Sequence, residues 1–313
     1  MRYKIFITCF LLFLTSCFKE KRSGNAGKKM QDFVIQISKY ARTFNSRFII
    51  IPQNGIELGF QELDPDQEVQ QEYLNAIDAF GNEEVFYNGN LAVDNELLPG
   101  LQKLRKHKSI MVADFVEDNA NIQDVINRND AEGFICFPRN ATDYDYTQIP
   151  DSVWHENNYA IHDLKSAQNY LYLISTDNFS SKQEMINVVK ATNFDLVIID
   201  LFFNDEIFTN SEVEELKVKA NGGHRLVISY MNIGSAENYC YYWKKLWGLR
   251  HPLWIKRRYE GYKDEYWVKY WKQDWQDIIY GNKDSYTKKI IDAGFDGAYL
   301  DNVEAYYFLY YRD

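Results

Sequence analysis

Three acidic residues stand at or just past the ends of apolar, β-branched runs. Asp200 lies near the end of Asp195–Phe202 (DLVIIDLF), and Asp301 in Phe295–Val303 (FDGAYLDNV). Glu237 falls within Leu226–Tyr239 (LVISYMNIGSAENY), past a break at Ile233–Gly234. Such runs read as buried strands, and a carboxylate at a strand end can reach a cleft. Two carboxylates facing each other across a bond are what glycoside hydrolysis needs: one protonates the leaving oxygen, and the other attacks or activates water. Asp200 and Glu237 are the candidate pair. A second reading makes Glu237 an acid in the first turn of a helix over Ala236–Trp247, where it complements the helix dipole. That position lowers a pKa, whereas a general acid working near neutrality needs it raised. A nearby Asp200 anion and aromatic burial act in the raising direction. On spacing alone both readings stay open.

Other chemistries lack their residues. The sequence has no Gly-rich phosphate loop, no G-x-S-x-G elbow, no HExxH and no Cys/His ligand spacing, and its five histidines are scattered. No metal or organic cofactor is expected. A net charge of −10 and a pI near 5.1 leave no basic field for nucleic acid, and the local cluster Lys256–Arg257–Arg258 does not change that. Aromatic residues are abundant, with 24 Tyr, 20 Phe and 7 Trp, and they crowd between Tyr239 and Trp275. Part of this set belongs in a core, and part offers flat faces suited to sugar rings. Asn232, Asn238 and Asn302 are neutral hydrogen-bonding partners for such rings.

The elements that must position these residues alternate in type. Apolar runs at 48–51, 110–112, 133–137, 170–174, 196–201, 226–230, 267–270 and 297–300 are separated by helix-like segments such as 67–80, 122–129, 181–192 and 212–220. This βα alternation predicts an α/β fold, a single-domain (β/α)₈ TIM barrel whose working edge is the C-terminal end of its strands. Asp114, after the second of these runs, joins the strand-end acids as a substrate-binding candidate. An amphipathic helix over 30–44 precedes the first strand.

Ahead of it, Arg2 and Lys4 lead into the apolar run Ile5–Phe13 and then Leu14–Thr15–Ser16–Cys17, an export signal too short to span a bilayer. The Leu-x-Ser-Cys ending resembles a bacterial lipobox, which implies lipidation of Cys17. The expected organisation is a leader at 1–17, a flexible tether at 18–29 and the barrel at 30–313. The expected place is the bacterial cell envelope, as an exported, membrane-anchored lipoprotein, and the chain is expected to be a monomer.

The segments 191–243 (ATNFDLVIIDLFFNDEIFTNSEVEELKVKANGGHRLVISYMNIGSAENYCYYW) and 294–308 (GFDGAYLDNVEAYYF) resemble glycoside hydrolase family 114. Its characteristic activity is endo-α-1,4-polygalactosaminidase, and its fold a (β/α)₈ barrel. The resemblance places Asp200 and Glu237 at the family's motif positions; the expected roles are Asp200 as nucleophile and Glu237 as general acid/base, with retention of configuration expected if their carboxyl groups lie ~5–5.5 Å apart and inversion if ~6.5–9.5 Å apart. It implies substrate contacts from Asp301, Asn302 and Glu304 in the D-N-V-E segment and from Asn54 in I-P-Q-N-G. Tyr230 and Asn232, on the strand before Glu237, complete the substrate-binding candidates. The implied partner is an amino-sugar polysaccharide, whose ammonium groups suit an acidic cleft. Relatives carry arginine where this chain has Cys240, a departure that keeps open a second function: carbohydrate binding at a surface without turnover.

Overall fold

Short runs of Val, Ile and Leu that are apolar on both faces form parallel strands, because helices cover one side and a core fills the other. Eight such strands organise the chain: β1 (Ile49–Pro52), β2 (Ala79–Leu91), β3 (Ser109–Val116), β4 (Ile135–Cys136), β5 (Tyr170–Tyr172), β6 (Leu196–Asp200), β7 (Leu226–Asn232) and β8 (Gly297–Asp301). The computed structural model describes residues 2–141, 143 and 145–311, with side chains described from residue 19 onward. One parallel sheet runs β1–β8–β7–β6–β5 and a second runs β2–β3–β4. A parallel bridge between Gln53 and Gly81 joins β1 to β2. Apart from β4 and β5, every strand therefore lies beside its neighbours in sequence, the order a barrel requires. Between β4 and β5 the described residues form no ladder, and aromatic packing of Phe137 on Tyr170 (centroids 5.6 Å apart) occupies that seam. The architecture is mixed α/β with parallel sheets, TIM-barrel-like and open in its hydrogen bonding at that seam.

Two elements depart from the sequence-based expectation. The helix expected over 67–80 is confined to Gln71–Ala76, and β2 follows it directly. Asn82, Glu83 and Glu84 hide this strand from a hydrophobicity pattern, since all three line the cavity described below. The expected seventh strand, Trp267–Tyr270, is not in the parallel set. Glu265–Val268 instead pairs antiparallel with both Ser235–Glu237 and Ile255–Arg258, in a small separate sheet.

The expected tether is also different. A helix spans Arg2–Arg42, and from Ser23 on it docks against the barrel. Ser23 Oγ donates to Tyr306 O (3.1 Å), Tyr270 OH donates to Ala26 O (2.5 Å), and Gln31 Nε2 donates to Leu58 O (2.8 Å). Met30, Phe33, Val34 and Ile37 are buried, as the amphipathic pattern predicted. Small residues at 23–27 let this helix approach closely, so a composition that resembles a linker serves as a contact face. The expected leader, including Cys17, lies outside the residues whose side chains are described. No helix among the described residues is long and apolar enough to cross a membrane.

Candidate active site

The C-terminal strand ends open into a cavity of about 1560 Å³ lined by Asp200, Tyr230, Glu237, Asp301, Asn302, Glu304 and Asn54. Tertiary structure thus gathers seven of the nine residues that sequence assigned to catalysis and substrate binding. Asp200 is the last residue of β6 and lies in register with Tyr230 of β7. Its Oδ1 accepts from Phe202 N (2.7 Å). Burial lifts its pKa to about 7, and the Glu237 charge adds to the lift. Asp301 ends β8, accepting from Tyr230 OH (2.5 Å) and from Asn302 N (2.7 Å). Burial, with the charge of Glu83 adding to it, pushes Asp301 to about 7. Glu304, one turn further, rises to about 8 through burial and the Asp301 charge.

Glu237 is not in a helix. Asn232 Oδ1 accepts from Ser235 N (3.0 Å), which turns the chain after β7. Ser235–Glu237 then continues as a strand paired with 265–267. The residues that follow are mostly aromatic and form turns, because Tyr and Trp side chains there pack on other rings. The expected helix over 236–247 is therefore absent, and with it the dipole that would lower the pKa of Glu237. Burial raises that pKa, opposed by hydrogen bonds from Cys240 Sγ (3.1 Å) and Tyr239 OH (3.0 Å). The tension between position and general-acid chemistry disappears. Cys240, in place of an arginine, touches the carboxylate directly.

Gly234 permits this geometry. A Cβ there would lie 1.9 Å from Asn302 O and 2.8 Å from Ala305 Cβ, so the turn after β7 seats against the loop after β8 only without a side chain. Gly234→Ala should lower stability by about 1–3 kcal/mol, the usual cost of overpacking, in urea unfolding. A neutral result would mean that the two loops do not meet this closely.

Two candidates sit elsewhere. Asp114 is fully buried and does not line the cavity. It accepts from Phe86 N (2.8 Å), Tyr87 N (3.1 Å) and Asn129 Nδ2 (2.9 Å), stitching the irregular part of β2 to the helix Ile122–Glu132. It is not at a strand end: β3 continues through Val116, and the paired part of β2 extends alongside it and closes off the solvent. Asn232 is also buried behind the wall, where its Nδ2 donates to Glu265 Oε1 (2.9 Å).

Glu265 is the functional candidate that sequence reading missed. It lines the cavity and accepts from Asn232, from Asn302 Nδ2 (3.2 Å) and from Ser235 Oγ. Burial and the Glu237 charge lift it to about 7. It sits in an antiparallel strand outside the barrel-like sheet, so no strand-end rule points to it. Glu83, also missed, accepts from Gln53 Nε2 (2.6 Å) and from Tyr146 OH. Arg139 Nη2, the one cation among the described lining residues, lies 3.6 Å from Glu83 and 2.9 Å from Glu84. Tyr239, Tyr241, Tyr259 and Tyr262 line the mouth, while Trp254, Trp267 and Trp275 are core. No group of three or more His, Cys, Asp or Glu side chains among the described residues is arranged to hold a metal ion.

Asp200, Glu265, Asp301 and Glu304 all have folded pKa values above the unfolded carboxyl range of about 4. The folded chain therefore binds more protons than the unfolded chain between that range and about 7 to 8, and stability falls as pH rises through this window. Thermal melts should show a higher Tm near pH 5 than near pH 8, and Asp301→Asn should flatten the slope. A Tm that climbs with pH across the window would contradict the clustered-carboxylate picture.

The chain is 31% identical over 118 residues to an uncharacterized protein of Thermotoga maritima, covering 38% of this chain and 35% of that protein. It is 34% identical over 124 residues to one of Deinococcus radiodurans (40% and 38%), and 36% identical over 125 residues to one of Methanocaldococcus jannaschii (39% and 34%). The matched region spans little more than a third of each of these relatives. A family model, glycoside-hydrolase family GH114, matches residues 156–313, a stretch that contains Asp200, Glu237, Glu265, Asp301 and Glu304. With half of its length and most of its cavity acids inside that match, the chain belongs to glycoside hydrolase family GH114.

Proposed function

We propose that this protein is an exported endo-acting glycoside hydrolase that cleaves α-1,4-linked galactosamine or N-acetylgalactosamine polymers. The observation that carries the reading is the pairing of Asp200 and Glu237 in one acid-rich cavity, each with a raised pKa and coupled through charge. Asp200 attacks the anomeric carbon, and Glu237 protonates the leaving oxygen and then deprotonates water. A cationic sugar bound among Glu83, Asp301 and Glu304 lowers the pKa of Asp200 and so supplies the ionised nucleophile. The exposed tyrosines at the mouth stack on neighbouring sugar rings.

The test is incubation with defined α-1,4-galactosamine and N-acetylgalactosamine oligomers, read by mass spectrometry. Internal cleavage supports the reading, and proton NMR of the first anomer released distinguishes retention from inversion. Binding without any cleavage favours the second reading, a carbohydrate-binding surface protein, for which Cys240 in place of arginine is the motive. Azide should rescue Asp200→Ala or Asp200→Gly with inversion at the anomeric carbon if Asp200 is the nucleophile. Lipidation at Cys17 and location in the bacterial envelope belong to the same proposal, and mass spectrometry of the membrane fraction tests them.

A further inference from the structure

The connection from the cavity to the small antiparallel sheet has an unusual composition. Between Asn238 and Tyr259 there is no Asp or Glu, while Lys244, Lys245, Arg250, Lys256, Arg257 and Arg258 all fall there, in a chain of net charge −10. Leu246, Leu249 and Leu253 in the same segment are 83%, 53% and 77% exposed. A single exposed leucine is ordinary, but three within eight positions on one connection are not a random scatter.

Their exposure is built in. Rings fix the segment from beneath: Trp243 meets Trp247 (5.7 Å), Trp247 meets Trp254 (5.0 Å), and Trp254 meets the buried Trp275 (5.0 Å). Gly248 and His251 exchange backbone hydrogen bonds of 2.7 and 2.9 Å, which closes the tip as a tight turn. With the tryptophans turned inward, the leucines have no inward position left. Lys244 Nζ lies 5.3 Å from the Trp247 ring centroid, beside the tip.

The positive charge continues past the tip. Lys269 Nζ donates to Leu253 O (3.0 Å). Lys256 has its pKa lowered to about 8 by burial and by the charges of Lys269, Arg257 and Arg22, which places the docked N-terminal helix on the same basic band. Exposed apolar side chains interleaved in sequence with cations match a bilayer surface, where leucines enter the headgroup boundary and cations meet anionic lipid.

We propose that the 243–254 connection is a membrane-docking tip that seats the protein on an anionic lipid bilayer. Tyr239, Cys240 and Tyr241 line the cavity immediately before it in sequence. Docking therefore holds the mouth beside the membrane, independently of any lipid on Cys17 and of which glycan is cleaved.

The experiment is co-sedimentation of the full chain with vesicles of phosphatidylcholine alone and of phosphatidylcholine with phosphatidylglycerol. The leader's apolar run partitions into both, so the difference between them is the readout. The wild-type chain should bind the anionic vesicles about tenfold or more tightly, and the difference should shrink as salt rises. K244A/K245A/R250A should shrink the difference several-fold, and an unchanged difference, which would put the preference on the leader's Arg2 and Lys4 or on cations away from the tip, overturns the proposal. L246S/L253S should weaken binding to the anionic vesicles, and both variants should keep the wild-type Tm because the altered side chains face solvent. Equal binding to the two vesicle types overturns the proposal. So does concentration-dependent self-association that L246S/L253S removes without any lipid preference, since the tip would then be an interface between copies.

Discussion

Glu237→Gln should lower turnover of α-1,4-galactosamine oligomers by about 10²–10⁴-fold, the usual contribution of a positioned general acid. Asp200→Asn should lower it at least as far, because an amide cannot form the glycosyl intermediate that the proposed mechanism requires of Asp200. Neither variant should unfold the protein. Both carboxyl groups are held above their ordinary pKa by burial, so replacing a charge with a neutral amide of the same shape relieves repulsion. The Tm near pH 8 should be unchanged or higher. A Glu237→Gln enzyme with normal turnover would end the acid/base assignment, and Glu265, a neighbouring glutamate that burial lifts to about 7, would replace it. Glu265→Gln is therefore the companion variant. It removes a charge beside Glu237 but leaves the Asn232, Ser235 and Asn302 contacts, so it should shift the pH profile more than it lowers the maximum rate.

Lys219→Ala should destabilise the fold by about 3–5 kcal/mol in urea titration, the cost of leaving a buried charge without its partner. Lys219 and Asp195 have fully buried side chains and form an ion pair at the N-terminal end of β6, opposite the cavity. Lys219 Nζ also donates to Tyr159 O (2.9 Å), while Asp195 accepts from Gln168 N and Asn157 Nδ2, both at 2.8 Å. The cluster ties the irregular stretch before β5 to the loop before β7, near the unpaired seam of the barrel-like sheet. Adding Asp195→Asn to Lys219→Ala should recover part of the loss, because a neutral amide can still accept from Gln168 N without an uncompensated charge. Equal stability of the two variants would show that the loss does not come from an uncompensated Asp195 charge, and Asp195→Asn alone closes the cycle that measures the coupling. At temperatures where Lys219→Ala stays folded, turnover should match wild type, since the pair does not line the cavity.

Much of the fold was legible because parallel strands advertise themselves. Runs such as Leu196–Asp200 and Leu226–Asn232 are apolar on both faces, and their flanking helices carry caps such as the Thr209–Glu212 box. The elements that escaped are those whose residues answer to the cavity. β2 carries Asn82, Glu83 and Glu84 inside a strand, and Glu265–Val268 is apolar enough to pass for a barrel strand though it belongs to a hairpin sheet. The segment at 18–29 was misread because Ser, Gly and Ala fit a linker and a close helix contact equally well.

Asp200, Glu237 and Asp301 were candidates in the sequence because each stands at or past the end of an apolar run, and the likeness to a family's motifs singled them out from the other acids. Sequence also limited the chemistry to carboxylates by lacking every other catalytic motif, and its likeness to glycoside hydrolase family 114 named the family that the match over residues 156–313 bears out. Tertiary structure alone decided which acids share a cavity. It sealed Asp114 under β2, brought in Glu83 and Glu265 from elements with no strand-end signature, and set the thiol of Cys240 against Glu237. The physical reason is that a pKa, a partner and a cavity wall depend on groups distant in sequence. Local pattern reports only where a chain turns polar, and packing determines what that polar group meets.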